Sequence, residues 1–172
     1  MSEEKRKLLN RFAETINDGE DIEDASVFTA EELGTPMDVV RCRISEAGAD
    51  LVDMLGECYF LPVEGDDLSV FTIMVTVIDE MKEETRFLAD AAARLNYFLP
   101  VGGFGIDDDD NGLVYKYSVH ILNSLSDEDK MTTMLTAFNA AVGVIDKFEG
   151  YLMLVATGEM ESGEMMDLIM NR

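Results

Sequence analysis

The chain has 172 residues, 47% of them hydrophobic and 28% charged, a globular balance that suits one domain with one core and excludes a disordered polymer. Asp and Glu outnumber Lys and Arg 36 to 13, a formal charge of −23, so phosphate backbones and anionic lipid are repelled; the one basic cluster, Lys5, Arg6, Lys7 and Arg11, stands beside Glu3 and Glu4. No apolar run reaches the ~18 residues of a spanning helix, nothing resembles a signal peptide, and the two cysteines lack metal-site or redox spacing, so a cytoplasmic chain with reduced thiols, engaging neither nucleic acid nor membrane, is expected.

Ser2 as N-cap, Glu3 and Glu4 in the first turn, and Leu8, Phe12 and Ile16 four residues apart predict an amphipathic helix, stopped by Asn17, Asp18 and Gly19. Residues 12 to 40 carry nine acidic residues and no Lys or Arg, so 18–36 reads as a solvated acidic linker, closed by Pro36 before a strand over Val39–Ile44. Tyr59-Phe60-Leu61-Pro62-Val63 recurs as Tyr97-Phe98-Leu99-Pro100-Val101, read as two similar strand entries, since two copies do not make a solenoid. Leu68–Ile78, rich in Val, Ile, Phe and Thr, reads as a central strand covered on both faces.

Residues 81–96 predict a second helix from Leu88, Ala91, Ala92 and Leu95, with Arg86, Asp90 and Arg94 paired at i,i+4 on the outer side. Asn111-Gly112 predicts a type I′ hairpin turn, and beyond it Leu113, Tyr115, Tyr117, Val119 and Ile121 alternate with Lys116, Ser118 and His120. A third helix starts at Ser126, with Asp129 approximating a capping box and an apolar stripe from Met131 to Ile145; one or two short helices follow, ending in a tail over 158–172. The expectation is a single α+β domain over 1–172: an antiparallel sheet of about five strands with helices packed on it, in the order α-β-β-β-α-β-β-α plus a helical tail.

Candidate chemistry is sparse. Asp107, Asp109, Asn111 and Gly112 match positions 1, 3, 5 and 6 of a calcium-binding EF-hand loop, and Val114 supplies the apolar eighth; position 12, where a bidentate Glu belongs, is Ser118. A solvated hairpin tip is the plainer reading, with Asp107, Asp109 and Asn111 left as weak metal candidates. His120 is the lone histidine and has no partner legible in sequence. Gly102-Gly103-Phe104-Gly105 lacks the Gly-Lys-Ser/Thr ending of a phosphate loop and reads as a bulge or strand bend. Cys42 and Cys58 read as small buried hydrophobes. Seven of the twelve methionines fall between Met131 and Met170, and Met165, Met166, Ile169 and Met170 are candidate partner contacts, because thioether side chains repack around varied clients. No catalytic set or cofactor fingerprint emerges, so no enzymatic activity and no cofactor are expected.

The element order in a small acidic chain resembles the YbjN family and the type III secretion chaperones of the same fold. The resemblance is strongest from Phe71 to Ile145: an apolar strand, a helix ending Arg94-Leu95-Asn96, a hairpin with an acidic Asn-Gly tip, and Leu125-Ser126-Asp127-Glu128 opening the next helix. The acidic stretch before Pro36 and the methionine-rich tail depart from it. What the resemblance implies is a non-enzymatic, homodimeric module that holds a client segment extended along its surface, or a regulatory adaptor. The first expectation is therefore a protein- or peptide-binding domain using sheet edges and apolar helical patches in an acidic field that favours basic clients. The alternative is a divalent-cation-responsive sensor at the Asp-rich tip.

Overall fold

Helix α1 (Glu3–Asn17) begins where Ser2 Oγ accepts from the Lys5 amide, and it turns Leu8, Leu9, Phe12, Ala13 and Ile16 inward, as the four-residue spacing dictates. The computed structural model to which it belongs describes residues 2–19, 21–47, 52–63, 67–79, 85–107 and 112–171. After α1 come β1 (Ile22–Phe28), α2 (Ala30–Leu33), β2 (Val39–Ala47), β3 (Val52–Phe60), β4 (Leu68–Ile78), α3 (Thr85–Asn96), β5 (Gly103–Asp107), β6 (Gly112–Leu122), α4 (Asp127–Ala156) and α5 (Ser162–Met170). The strands form one antiparallel sheet in the order β1-β2-β3-β4-β6-β5, so the fold class is α+β.

Helices α1, α3 and α4 lie in one layer against one face of the sheet, α4 touching the other two, and α5 packs on α3 and α4. Alternate strand residues face that layer, among them Val40, Cys42, Ile44, Cys58, Phe71, Ile73 and Tyr115. Phe12 sits at its centre, edge-on to Phe71 at 5.3 Å and to Phe138 at 5.6 Å. Strand β4 is central as expected, but helices cover one of its faces only. On the other, Thr72 is buried among neighbouring strands with its hydroxyl 2.9 Å from that of Ser118, while Met74 and Thr76 stay half-exposed.

The acidic stretch 18–36 is not a linker, and the sheet has six strands rather than five. Ile22, Ala25 and Val27 pack on the core while Glu23 and Asp24 reach Arg43 at 2.7 and 3.1 Å. A bulge between Glu23 and Ser26, with Asp24 at φ 56°, breaks the alternation that marks a strand. Thr29 and Glu32 close a capping box on the one-turn α2. Beyond it Asp38, 1% exposed, takes Arg6 Nε at 2.7 Å and the Ala30 amide at 2.8 Å, tying α1 and α2 to β2. Burial pushes the Asp38 carboxyl up, but the Arg6 hydrogen bond, the Ala30 amide and the Arg6 charge outweigh it, so its pKa falls below the usual value.

Other expectations shift in detail. Gly112 is not in a two-residue turn: it pairs with Asp107 as the first residue of β6, and a Cβ there would stand 2.7 Å from the Ile78 carbonyl oxygen. Close backbone approach, not positive φ, requires that glycine. The Tyr-Phe-Leu-Pro-Val echo occupies two settings, since Tyr59 and Phe60 end β3 whereas Tyr97 and Phe98 follow α3. The third helix runs on through Leu152 and Met153 as one 30-residue element, capped by Ser126, so α5 alone forms the tail. Of the outer pairs on α3, Arg94 meets Asp90 at 2.8 Å, and the Arg86 side chain lies outside the described residues.

Both edge strands are clamped, each at one residue, by the same device. Asn17, the last residue of α1, donates its amide to the Ala25 carbonyl at 2.7 Å and accepts the Ala25 N–H at 2.8 Å. Asn96, the last residue of α3, makes the same two bonds to Phe104 in β5, both at 2.8 Å. Each carboxamide stands in for one residue of a neighbouring strand and satisfies edge groups that would otherwise pair with another chain. The glycine-rich run serves the second clamp. Gly102 has φ +62°, and a Cβ on it would collide with the Tyr115 hydroxyl, which donates to Val101 O at 2.8 Å.

Candidate functional site

The sheet face away from the helices carries exposed Leu55, Lys116, Ser118, His120 and Leu122. At its β1–β3 end lies a shallow groove of about 430 Å³, lined by Phe28, Leu55, Arg41, Arg43, Asp24 and Asp53. The strand register builds it, because Phe28 pairs with Val39, Ser26 with Arg41 and Arg43 with Leu55, placing the aromatic ring, the two guanidinium groups and the leucine on one face. Arg41 lies 5.8 Å from the Phe28 ring centre and bonds Glu57 at 2.8 Å; Arg43 stands among Glu23, Asp24 and Asp53. Held flat in this way, the guanidinium groups leave an apolar floor between charged walls, suited to a side chain or short extended segment.

A second groove, of about 410 Å³, opens where the end of α1 and the start of β1 meet α4. Ile16, Ile22, Leu135, Phe138 and Val142 make its floor, and Asp18 and Asp21 stand at its rim. A smaller cleft of about 170 Å³ holds Ser2, Lys5, Phe60, Ser69 and Asn123 beside Lys130, whose side chain is 6% exposed and bonds Glu4 at 2.7 Å. That ion pair fastens the first turns of α1 and α4 together, and Arg11, farther along α1, bonds Glu128 at 2.7 Å. The basic cluster of α1 thus serves internal ion pairs: Arg6 to Asp38, Lys7 to Glu3 and Arg11 to Glu128.

The residues singled out in the sequence are scattered. Asp107 ends β5, while Asp109 and Asn111 lie outside the described residues. Positions 6 to 12 of the supposed calcium loop form strand β6, so Ser118 is on the open sheet face and no helix follows the loop. Among the described residues no three His, Cys, Asp or Glu side chains converge as metal ligands. His120 is exposed opposite Val70. Cys42 and Cys58 are buried on the helix side; burial pushes the Cys42 thiol up to about 12, and burial, then Cys42 and Glu57, raises Cys58 well above its ordinary value. Met165 and Met166 are packed into the core and Ile169 lies half-buried against it, which leaves Met170 alone of the four on the surface. The tail is docked because its apolar side chains complete the layer beside α3, where Ser162 Oγ also donates to Asp90 at 2.6 Å.

Sequence reasoning missed both grooves. Phe28 and Asp24 lie in the stretch taken for a linker, and Leu135 and Val142 were absorbed into a core stripe. The recoverable signal was Ile22, Ala25 and Val27, apolar residues recurring through acidic surroundings. No helix among the described residues is long and apolar enough to cross a membrane. No protein-family model matches the sequence, and no curated protein matches it.

Proposed function

We propose that the chain is a non-enzymatic protein- or peptide-binding module, a chaperone-like protein or regulatory adaptor of the cytoplasm, acting as a homodimer. One observation carries the reading: the helices sit on one side of the sheet, and the opposite face presents an apolar groove between Phe28 and Leu55, walled by Arg41, Arg43, Asp24 and Asp53. Leu55 is 45% exposed there, an aliphatic side chain that a segment bound in the groove would cover. The resemblance to YbjN proteins and secretion chaperones supports the same reading, since the order α-β-β-β-α-β-β-α is present with β1 and α2 added after the first helix. The carboxamide clamps weigh against strand addition at Ala25 and Phe104, which supports the sheet face as the client's seat.

Two measurements test this. Light scattering of the purified chain reads its oligomeric state. A photo-crosslinking side chain at position 55, irradiated in cell extract, should give discrete adducts that the same group at position 154 on α4 does not. A monomer whose two positions crosslink alike overturns the proposal.

A further inference from the structure

The groove between α1 and α4 has a charge pattern that α1 does not need for folding. Asp18 is the C-cap of α1, at the negative end of the helix dipole; the last turn holds no basic residue, and Asp21 follows on the same rim. Acidic groups stabilise a helix at its other end, where Glu3 and Glu4 already stand, so Asp18 opposes the local electrostatics. Natural sequences break such local rules chiefly at functional sites. Beneath these charges lies an apolar floor whose Leu135 and Val142, two turns apart on α4, remain half-exposed beside Ile22. Its volume is about 410 Å³.

We infer that this groove is a docking site for a basic amphipathic peptide segment, whose apolar side chains enter the floor between Ile22, Leu135 and Val142 while a Lys or Arg meets Asp18, Asp21 and the carbonyl end of α1. Charge complementarity decides the occupant: an acidic or neutral apolar segment gains nothing from the rim, and a nucleic acid is repelled by it. The inference takes its ligand class from the protein-binding reading but uses a different surface from the sheet groove.

The test uses the full chain and a synthetic peptide of Leu and Lys at helical spacing, carrying a fluorophore, with its Glu counterpart as control, followed by anisotropy at physiological ionic strength. The Lys peptide should bind and the Glu peptide should not. Asp18→Asn with Asp21→Asn should weaken binding at least tenfold, as should Val142→Asp in a variant whose circular dichroism is unchanged. Glu159→Gln with Glu164→Gln, which removes the same charge elsewhere, should change it less than threefold. Asp18→Asn alone should also raise the melting temperature, whereas an aspartate needed for folding would lower it. Equal weakening by the control pair, or no binding of the Lys peptide, overturns the inference. Binding blocked by Leu55→Asp but not by the groove variants would leave the sheet-face proposal standing and sink this one.

Discussion

Replacing Asn96 by alanine removes two side-chain hydrogen bonds to the backbone of one edge strand, and the structure sets the size of the loss. Each such bond contributes about 0.5–1.5 kcal/mol net, so the pair contributes about 1–3 kcal/mol. Asn96 is half-buried and Phe104 is 4% exposed, so water replaces the carboxamide poorly and the upper part of that range applies. Asn17 is exposed, water reaches Ala25 more readily, and Asn17→Ala should cost about 1 kcal/mol. Urea denaturation gives both values from the midpoint shift at constant slope. Asn96→Asp separates hydrogen bonding from packing. An ionised carboxylate accepts the Phe104 N–H but has nothing to donate to its carbonyl, whereas the protonated acid does both. The pKa of the introduced acid is then higher folded than unfolded, so the variant regains stability as pH falls and loses it as pH rises through the folded value. A loss below about 0.5 kcal/mol for Asn96→Ala, together with an Asn96→Asp variant that tracks the wild type at every pH, would refute the clamp.

Gly102→Ala should cost more than about 2 kcal/mol in urea, since a left-handed residue with a side chain is penalised by roughly 1–2 kcal/mol before the Tyr115 hydroxyl is displaced. Asp38 has a depressed pKa, so its stabilisation is present above the ordinary aspartate value of about 3.9 and lost as pH falls through the lower folded value; Asp38→Asn should flatten that acid limb of the stability profile. Cys42 and Cys58 should resist a thiol reagent at neutral pH in the folded chain and both react in urea; rapid labelling of the native protein would contradict their burial. Calcium should leave the melting temperature unchanged, because Ser118 occupies the twelfth position of the loop within a strand. A rise abolished by Asp109→Ala would favour the sensor instead.

Where periodicity and packing agreed, the fold was readable. Leu8, Phe12 and Ile16 marked α1, the Val- and Ile-rich run marked β4, and the strict alternation from Leu113 to Ile121 marked β6 with the correct inward face. β1 was lost because a bulge at Asp24 interrupts its alternation and because its acids were assigned to solvent when Glu23 and Asp24 have Arg43 as partner. The methionines of the tail stand out by composition, and composition does not say which side of a short helix meets α3. The grooves were out of reach for a different reason. Each joins elements distant in sequence, Asp18 with Val142 in one and Phe28 with Leu55 in the other, so no local pattern records them. Asn17 and Asn96 were visible only as residues that stop helices, although the same side chains clamp the two edge strands.

The ion pair between Glu4 and Lys130 joins residues 126 apart in the chain, and Arg11 to Glu128 spans 117. On a ribosome making about 5–20 residues per second, α1 therefore emerges roughly 6 to 25 seconds before the helix it packs against. Through that interval Leu9 and Phe12, wholly buried in the finished protein, have no α4 to cover them, although Ala25, the partner of Asn17, follows only eight residues behind it. The amphipathic first helix is thus open to capture by other proteins while synthesis is under way.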